Sequence, residues 1–181
     1  IKPILKISED QFGKKIPDDE YGFSKYVCSK LIENTTNLVS LRIFGLFGKY
    51  EDYRYRFISN AICQCISKDR ITIRQNVNFD YVYINDFVKI IEHFINVKQT
   101  KYKFYNIGTG QKVDIKALAK EIIIKHNNPA QLVVNIPGLN NEYTCNNKRL
   151  MQEIPNLSFT KSRDAISELY DWYKKQKVKL T

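Results

Sequence analysis

Tyr21-Gly22-Phe23-Ser24-Lys25 sets a phenol and an ammonium four residues apart. On a helix, residues i and i+4 share a face, so the two side chains can lie together. A free tyrosine holds its proton up to a pKa near ~10, and a cation beside it favours the phenolate. A neighbouring Lys and a cationic ring could share the roughly 4 kcal/mol needed to bring such a phenol near neutral pH. An activated phenol can take or give a proton at a hydroxyl or ketone while hydride moves at the same carbon. Spacing alone leaves a second reading open: the chain has 12 Tyr, and the pattern also suits an exposed helix start.

Working outward, further blocks follow in order. Tyr21 through Lys30 is followed by Leu41-Arg42-Ile43-Phe44-Gly45-Leu46-Phe47-Gly48, then by Asp80-Tyr81-Val82-Tyr83-Ile84-Asn85-Asp86. Tyr105-Asn106-Ile107-Gly108-Thr109-Gly110, a helix at about Ile115 to Lys125, and the segment Asn146 to Ile154 complete the series. In this order the blocks resemble the extended short-chain dehydrogenase/reductases, the group that holds the NAD-dependent sugar-nucleotide epimerases and dehydratases. Asp80 to Asp86 resembles that family's D-F-V-x-V-x-D segment, and Tyr105 to Gly110 matches its Y-N-x-G-x-G. Asn146 to Ile154 stands where D-x-x-K-A-x-x-x-L-G is common.

The resemblance implies an α/β chain, the C-terminal part of a Rossmann-type extended short-chain dehydrogenase/reductase with its small α/β substrate-binding lobe. Residues 1–48 would be the remnant of the NAD(P)-binding domain, carrying the Tyr/Lys helix and the following strand. Residues 49–181 would be mainly the substrate lobe, with the option of crossing back to the sheet. It implies NAD or NADP as cofactor and a nucleotide sugar as substrate, for surface polysaccharide. Epimerisation, dehydration and 4-keto-sugar reduction all use the same Tyr/Lys pair and differ in substrate pose.

Roles for single residues come from the same resemblance. Tyr21 is the general acid/base, while Lys25 supports its phenolate and hydrogen-bonds the nicotinamide ribose. Phe44 is a wall of the cofactor site, or else a buried strand aromatic. Gly45 occupies the place where many members carry an Asn that touches substrate. Phe79 stands where many sugar-nucleotide members place an Arg for the diphosphate. Arg56 and Arg74, with Arg54 nearby, are candidate replacements for that Arg, against the alternative of solvated surface residues.

A dinucleotide site should open with a strand, a Gly-rich turn and a helix N-terminus. Gly108-Thr109-Gly110 is a lone G-x-G, expected to be a turn leading to the helix near Asp114. Ser8 lies in a polar stretch closer to Tyr21 than the family's upstream Ser/Thr, and is not given that role. The first residue is Ile1 and the only Met is Met151. The sequence therefore reads as a portion of a longer oxidoreductase, inactive by itself. The alternative is a separately expressed, non-catalytic module that binds a sugar nucleotide or a partner. A sheet without its first strands leaves a hydrophobic edge, so self-association as a homodimer, or a rearrangement that covers the edge, is expected.

Composition excludes several other classes. At 181 residues and 43% hydrophobic content the chain can bury one core. No apolar run reaches the ~18 residues of a membrane span and no signal peptide is visible, so a cytoplasmic setting without a membrane partner is expected. Cys28, Cys63, Cys65 and Cys145 are scattered, and His93 and His126 lack companions at ligand spacing, so no metal site is expected. The formal charge is +10, but the cations are dispersed, as at Lys14-Lys15, Lys101, Lys103 and Lys148-Arg149. Without a nucleic-acid motif, that charge is read as a field attracting an anionic sugar nucleotide rather than as a nucleic-acid surface.

Periodicity predicts a helix from Tyr21 to about Asn34 with Val27, Leu31 and Ile32 toward a sheet, then a buried strand from Leu38 to Phe44. Phe57 to Ile66 carries a helical stripe, and Ile71 to Ile73 and Tyr81 to Ile84 read as short strands. Asp86 is placed as the N-cap of the next helix. Gln131 to Ile136 reads as a strand that ends at Pro137-Gly138. A last helix, Ser162 to Gln176, should pack through Ile166, Leu169, Tyr170 and Tyr173.

Overall fold

The computed structural model describes residues 6–127 and 129–176; Ile1 lies outside them. Helix α1 (Glu20–Glu33) opens at Asp19, whose carboxylate accepts a hydrogen bond from Gly22 N at 2.7 Å. Such a cap satisfies one of the free amides of the first turn. Gly22 has to be small, because a Cβ there would stand 2.7 Å from Pro17 Cβ.

Strand β1 (Ser40–Ile43) runs parallel to β6 (Phe104–Ile107), with Ser40 opposite Phe104 and Ile43 opposite Ile107. Phe44 N donates to Ile107 O at 3.1 Å and carries the pairing one residue further. β2 (Leu46–Phe47) pairs in parallel with β5 (Val82–Tyr83). β3 (Arg70–Asn76) pairs in parallel with β8 (Gln131–Leu139), and β4 (Asn78–Phe79) lies antiparallel to β7 (Val113–Asp114). The remaining helices are α2 (Phe57–Lys68), α3 (Ile84–Asn96), α4 (Ile115–His126), α5 (Lys148–Glu153) and α6 (Ser162–Lys175).

Two buried clusters organise these elements. The larger joins α2, β3, α4 and α6 through Ile58, Ile62, Ile71, Leu118, Ile122, Ile166 and Leu169. Cys63 and Cys65 belong to it as small apolar residues. Burial holds both thiols protonated, raising Cys63 to about 12 and Cys65, with Asp69 adding to the effect, to about 11. The smaller cluster centres on Val82, Ile90, Tyr105, Ile107 and Leu150, with Leu41 and Leu46 packed against it. The chain thus returns to β1 after building α2 and β3.

The structure departs from the sequence expectations at four places. Val27 and Leu31 face no sheet; they are exposed, and Ser29 is the one buried residue of α1. The strand after α1 is half-buried rather than buried, and Leu38 and Val39 before it are exposed. In both cases a single parallel partner, β6, covers only one edge, and among the described residues no further strand covers the other. Asp86 is not an N-cap: α3 starts two residues earlier, capped at Tyr83 without a side-chain bond. Its buried carboxylate instead accepts from Thr160 N at 2.7 Å, Thr160 Oγ1 at 3.0 Å and Lys89 Nζ at 2.9 Å, tying the segment before α6 to α3. Pro137-Gly138 does not end β8, which continues to Leu139 with a register shift opposite Gln75 and Asn76. Among the described residues β8 pairs only with β3, so the N–H that Pro lacks can fall on the open edge.

Candidate active site

The Tyr21 and Lys25 side chains meet on the outer face of α1, with Lys25 Nζ 5.2 Å from the centroid of the Tyr21 ring. Tyr21 is 74% exposed. It stands at the border of a cavity of about 650 Å³ framed by the β1–β2 segment, the 48–58 loop and the strand ends at Phe79 and Tyr81. Phe44, Gly45, Arg56 and Phe79 also line this cavity. Lys25 and Arg74 do not: Lys25 sits behind Tyr21, and Arg74 is exposed on the face of β3 opposite Ile71 and Ile73. Arg54 is held by Asp52, with its guanidinium 2.9 Å from the carboxylate.

One wall of the cavity is aromatic. Phe44 stacks on Tyr143 with ring centroids 4.8 Å apart, and Tyr143 lies 5.2 Å from Phe79. Phe79 stacks on Tyr81 at 4.9 Å, and Tyr81 meets Phe47 edge-on at 6.1 Å. Offset and edge-on pairs at such spacings are the favoured aromatic geometries. Burial raises the pKa of Tyr143 above that of a free phenol, with smaller contributions from Cys145 and Tyr21. Sequence reasoning missed Tyr143; it arrives from the stretch between β8 and α5 by a bridge between Phe79 and Tyr143.

Gly45 contributes backbone rather than a side chain. Its carbonyl accepts from Val82 N at 2.8 Å, and a Cβ would stand 2.5 Å from Asp80 O. An Asn at this place would drive the β1–β2 turn away from the 79–82 segment. Glu51, also missed in the sequence, lines the same cavity and accepts a hydrogen bond from the buried Ser59 Oγ. Desolvation raises its pKa, and Ser59, the Gly48 backbone and Arg56 pull the other way.

The G-x-G turn is occupied from within. The buried Asp80 carboxylate accepts from Thr109 N at 2.7 Å, Thr109 Oγ1 at 2.7 Å and Gly110 N at 2.9 Å. Cys145 Sγ adds a fourth contact at 3.3 Å. Amides already donating to a carboxylate are not free to hold a pyrophosphate, so this turn is structural. The following helix α4 is capped by Asp114, which accepts from Ala117 N at 2.8 Å. Ser8 is likewise used locally, at the start of the short turn Glu9–Gln11, where Ser8 N donates to Gln11 Oε1 at 2.9 Å.

Residues 3–108 match the family model described as the NAD dependent epimerase/dehydratase family. The chain belongs to this family. A comparison with curated proteins gives no match. Among solved structures, a GDP-L-fucose synthetase from Naegleria fowleri bound to NADP is similar at TM-score 0.80 and 14% identity, over 97% of this chain and 62% of its own. A UDP-glucuronic acid 4-epimerase from Bacillus cereus, in complex with UDP-glucuronic acid and NAD, gives 0.78 and 19%, over 94% and 57%. A dTDP-glucose 4,6-dehydratase from Bacillus anthracis in complex with NAD gives 0.73 and 16%, over 89% and 54%. The chain therefore spans little more than half the length of these structures, and at such identities the likeness establishes the fold.

No helix among the described residues is long and apolar enough to cross a membrane. Among the same residues, no group of three His, Cys, Asp or Glu side chains is placed to hold a metal ion.

Proposed function

We propose that this chain contributes the acid/base pair and the substrate wall of an NAD- or NADP-dependent enzyme acting on a nucleotide sugar, by epimerisation, dehydration or keto-sugar reduction. The observation that carries this reading is Tyr21, backed by Lys25, at the border of a cavity whose other walls are Phe44, Phe79 and Tyr143. Residues 1–48 are assigned to the cofactor domain and residues 49–181 mainly to the substrate lobe, with β6 and α3 returning to the β1 side.

The residues present fit the nicotinamide end of the cofactor and not its pyrophosphate. Ile43 and Phe44 offer an apolar face beside the phenol, whereas the one G-x-G turn is filled by Asp80. The cofactor, when bound, supplies the hydride acceptor and donor. This chain's own part is proton handling and placement. Tyr21 takes or returns the proton of the sugar hydroxyl at the reacting carbon. The Lys25 ammonium stabilises the phenolate and hydrogen-bonds the ribose. Phe44 keeps water from the reacting face. Arg56 stands unpaired among the described residues at the start of α2, where its guanidinium and the helix N-terminus suit a diphosphate. Phe79, in the place of the usual Arg, gives its ring to the sugar side instead. Arg74 lies outside this arrangement and is left as a surface residue. With the pyrophosphate turn supplied by other residues, the 181-residue chain alone is expected to show no turnover.

Tyr21→Phe in the complete native polypeptide tests the assignment. It should lower kcat by roughly 100- to 10,000-fold while cofactor affinity changes little. Turnover at the wild-type rate would remove Tyr21 from the mechanism.

A further inference from the structure

Glu51 has no role in the chemistry above, yet its place is unusual. The charged residues lining the cavity are Lys49, Glu51 and Arg56. Lys49 is committed to Glu168 at 2.6 Å, and Arg56 lies exposed at the mouth. Glu51 is therefore the one carboxylate on the lining, and among the described residues no Lys or Arg forms a salt bridge with it. We propose that Glu51 is the residue that reads the sugar, its carboxylate accepting hydrogen bonds from a vicinal pair of hydroxyls while the ring lies against Phe44, Phe79, Tyr81 and Tyr143. This rests on the nucleotide-sugar reading of the same cavity.

Three observations support it. The first is unfilled capacity. An ionised carboxylate offers about four acceptor positions, of which the hydrogen bond from Ser59 Oγ uses one. The positions left over are enough for the two hydroxyls of a diol. The second is cost. Desolvation works against the charge of Glu51, and a purely structural acceptor for Ser59 could be a neutral amide at no such cost. Titratable groups that burial shifts, set in a cleft, concentrate at functional sites. The third is the wall itself: stacked aromatics with a few aimed polar groups form the usual lining of a small-molecule pocket.

The test is Glu51→Gln in the complete native polypeptide, with calorimetric titration of UDP-glucose against UDP and of GDP-mannose against GDP. Wild type should bind the matching nucleotide sugar more tightly than its nucleoside diphosphate. The variant should lose about tenfold or more for the sugar nucleotide and stay within about twofold for the diphosphate. Unchanged affinity for the sugar nucleotide, or an equal loss for both ligands, overturns the role of Glu51. Wild type binding neither diphosphate overturns the nucleotide-sugar reading beneath it. Folding of the variant is expected to hold, because Gln keeps the acceptor for Ser59 and removes the desolvated charge. A further measurement needs no variant: the carbon-13 titration of the Glu51 carboxyl should move to lower pH when wild type is saturated with the sugar nucleotide. A titration that stays in place counts against the proposal.

Discussion

Helices α1 and α6 are each 14 residues long, and they meet opposite fates. α6 buries Ala165, Ile166, Leu169, Tyr170 and Tyr173 against α2 and α4. α1 buries only Ser29 and leaves Tyr21, Phe23, Val27 and Leu31 to solvent. An apolar stripe states which side of a helix seeks cover; the cover itself must come from elsewhere in the assembly. In α6 that cover is in the same chain. In α1 the 6–17 segment packs on one flank, where Phe12 stacks on Tyr26 at 5.4 Å, and the Tyr21/Lys25 pair stands on the part left open.

Denaturant unfolding of matched variants breaks or confirms this contrast. Leu169→Ala should cost about 2–5 kcal/mol, since it opens a cavity in a closed cluster. Leu31→Ser should cost within about 0.5 kcal/mol, as an exposed substitution does. Comparable losses would mean that α1 is covered in solution. Sedimentation over a range of concentrations then gives the cause: a mass that rises with concentration and falls in Leu31→Ser identifies the homodimer expected from the open edge.

Asp80→Asn sharpens the contrast from the other side, where polar groups rather than methyls hold the structure. The new amide keeps one acceptor oxygen and turns its NH2 on either Thr109 N or Gly110 N, which donate to different oxygens of Asp80, and a loss of about 2–3 kcal/mol is expected by the same measurement. A neutral result would show that these amides find other partners.

The smallest effect concerns the thiols of the closed cluster. Cys63 and Cys65 are raised by burial, to about 12 and about 11, from an ordinary 9.0. Their folded values lie above the unfolded ones, so their contribution is complete below pH 9 and is lost as pH rises toward 11 and 12. The urea midpoint of wild type should therefore fall more between about pH 8 and about pH 10.5 than that of Cys63→Ala. Alkylation at about pH 8 should reach the exposed Cys28 at once, and Cys63 only on unfolding.

Strong periodicity made α2, α4 and α6 legible from sequence, because each carries its own burial stripe and its partners are close. The errors fell where a residue's meaning depends on something distant. Asp86 resembles a cap because carboxylates near a helix start usually are; its true partner, Thr160, lies far along the chain. Leu38, Val39, Val27 and Leu31 have the composition of buried residues, and pattern alone does not reveal an absent neighbour. The family blocks point to Tyr21, Lys25 and Phe44, of which Tyr21 and Phe44 line the cavity. Glu51 sits in the charged run Lys49-Tyr50-Glu51-Asp52, which reads as ordinary loop, and Tyr143 follows two Asn and a Glu with no periodic signal. Only the fold brings both to the cavity. The hydrogen bond from Ser59, on the inner side of the α2 stripe, was the one available hint for Glu51, and it needed the loop's path to be seen.

The β1–β6 pairing also fixes an order of assembly. Residues 40–43 leave the ribosome well before residues 104–107, and between them come α2, β3 and α3. A strand whose partner is not yet made stays open during that interval, and long-range parallel pairing is slow in any case. The nascent chain therefore carries a bare, aggregation-prone edge beside the Tyr21 helix until the Y-N-x-G-x-G segment emerges. Translation speed across residues 44–103 sets how long that edge is exposed.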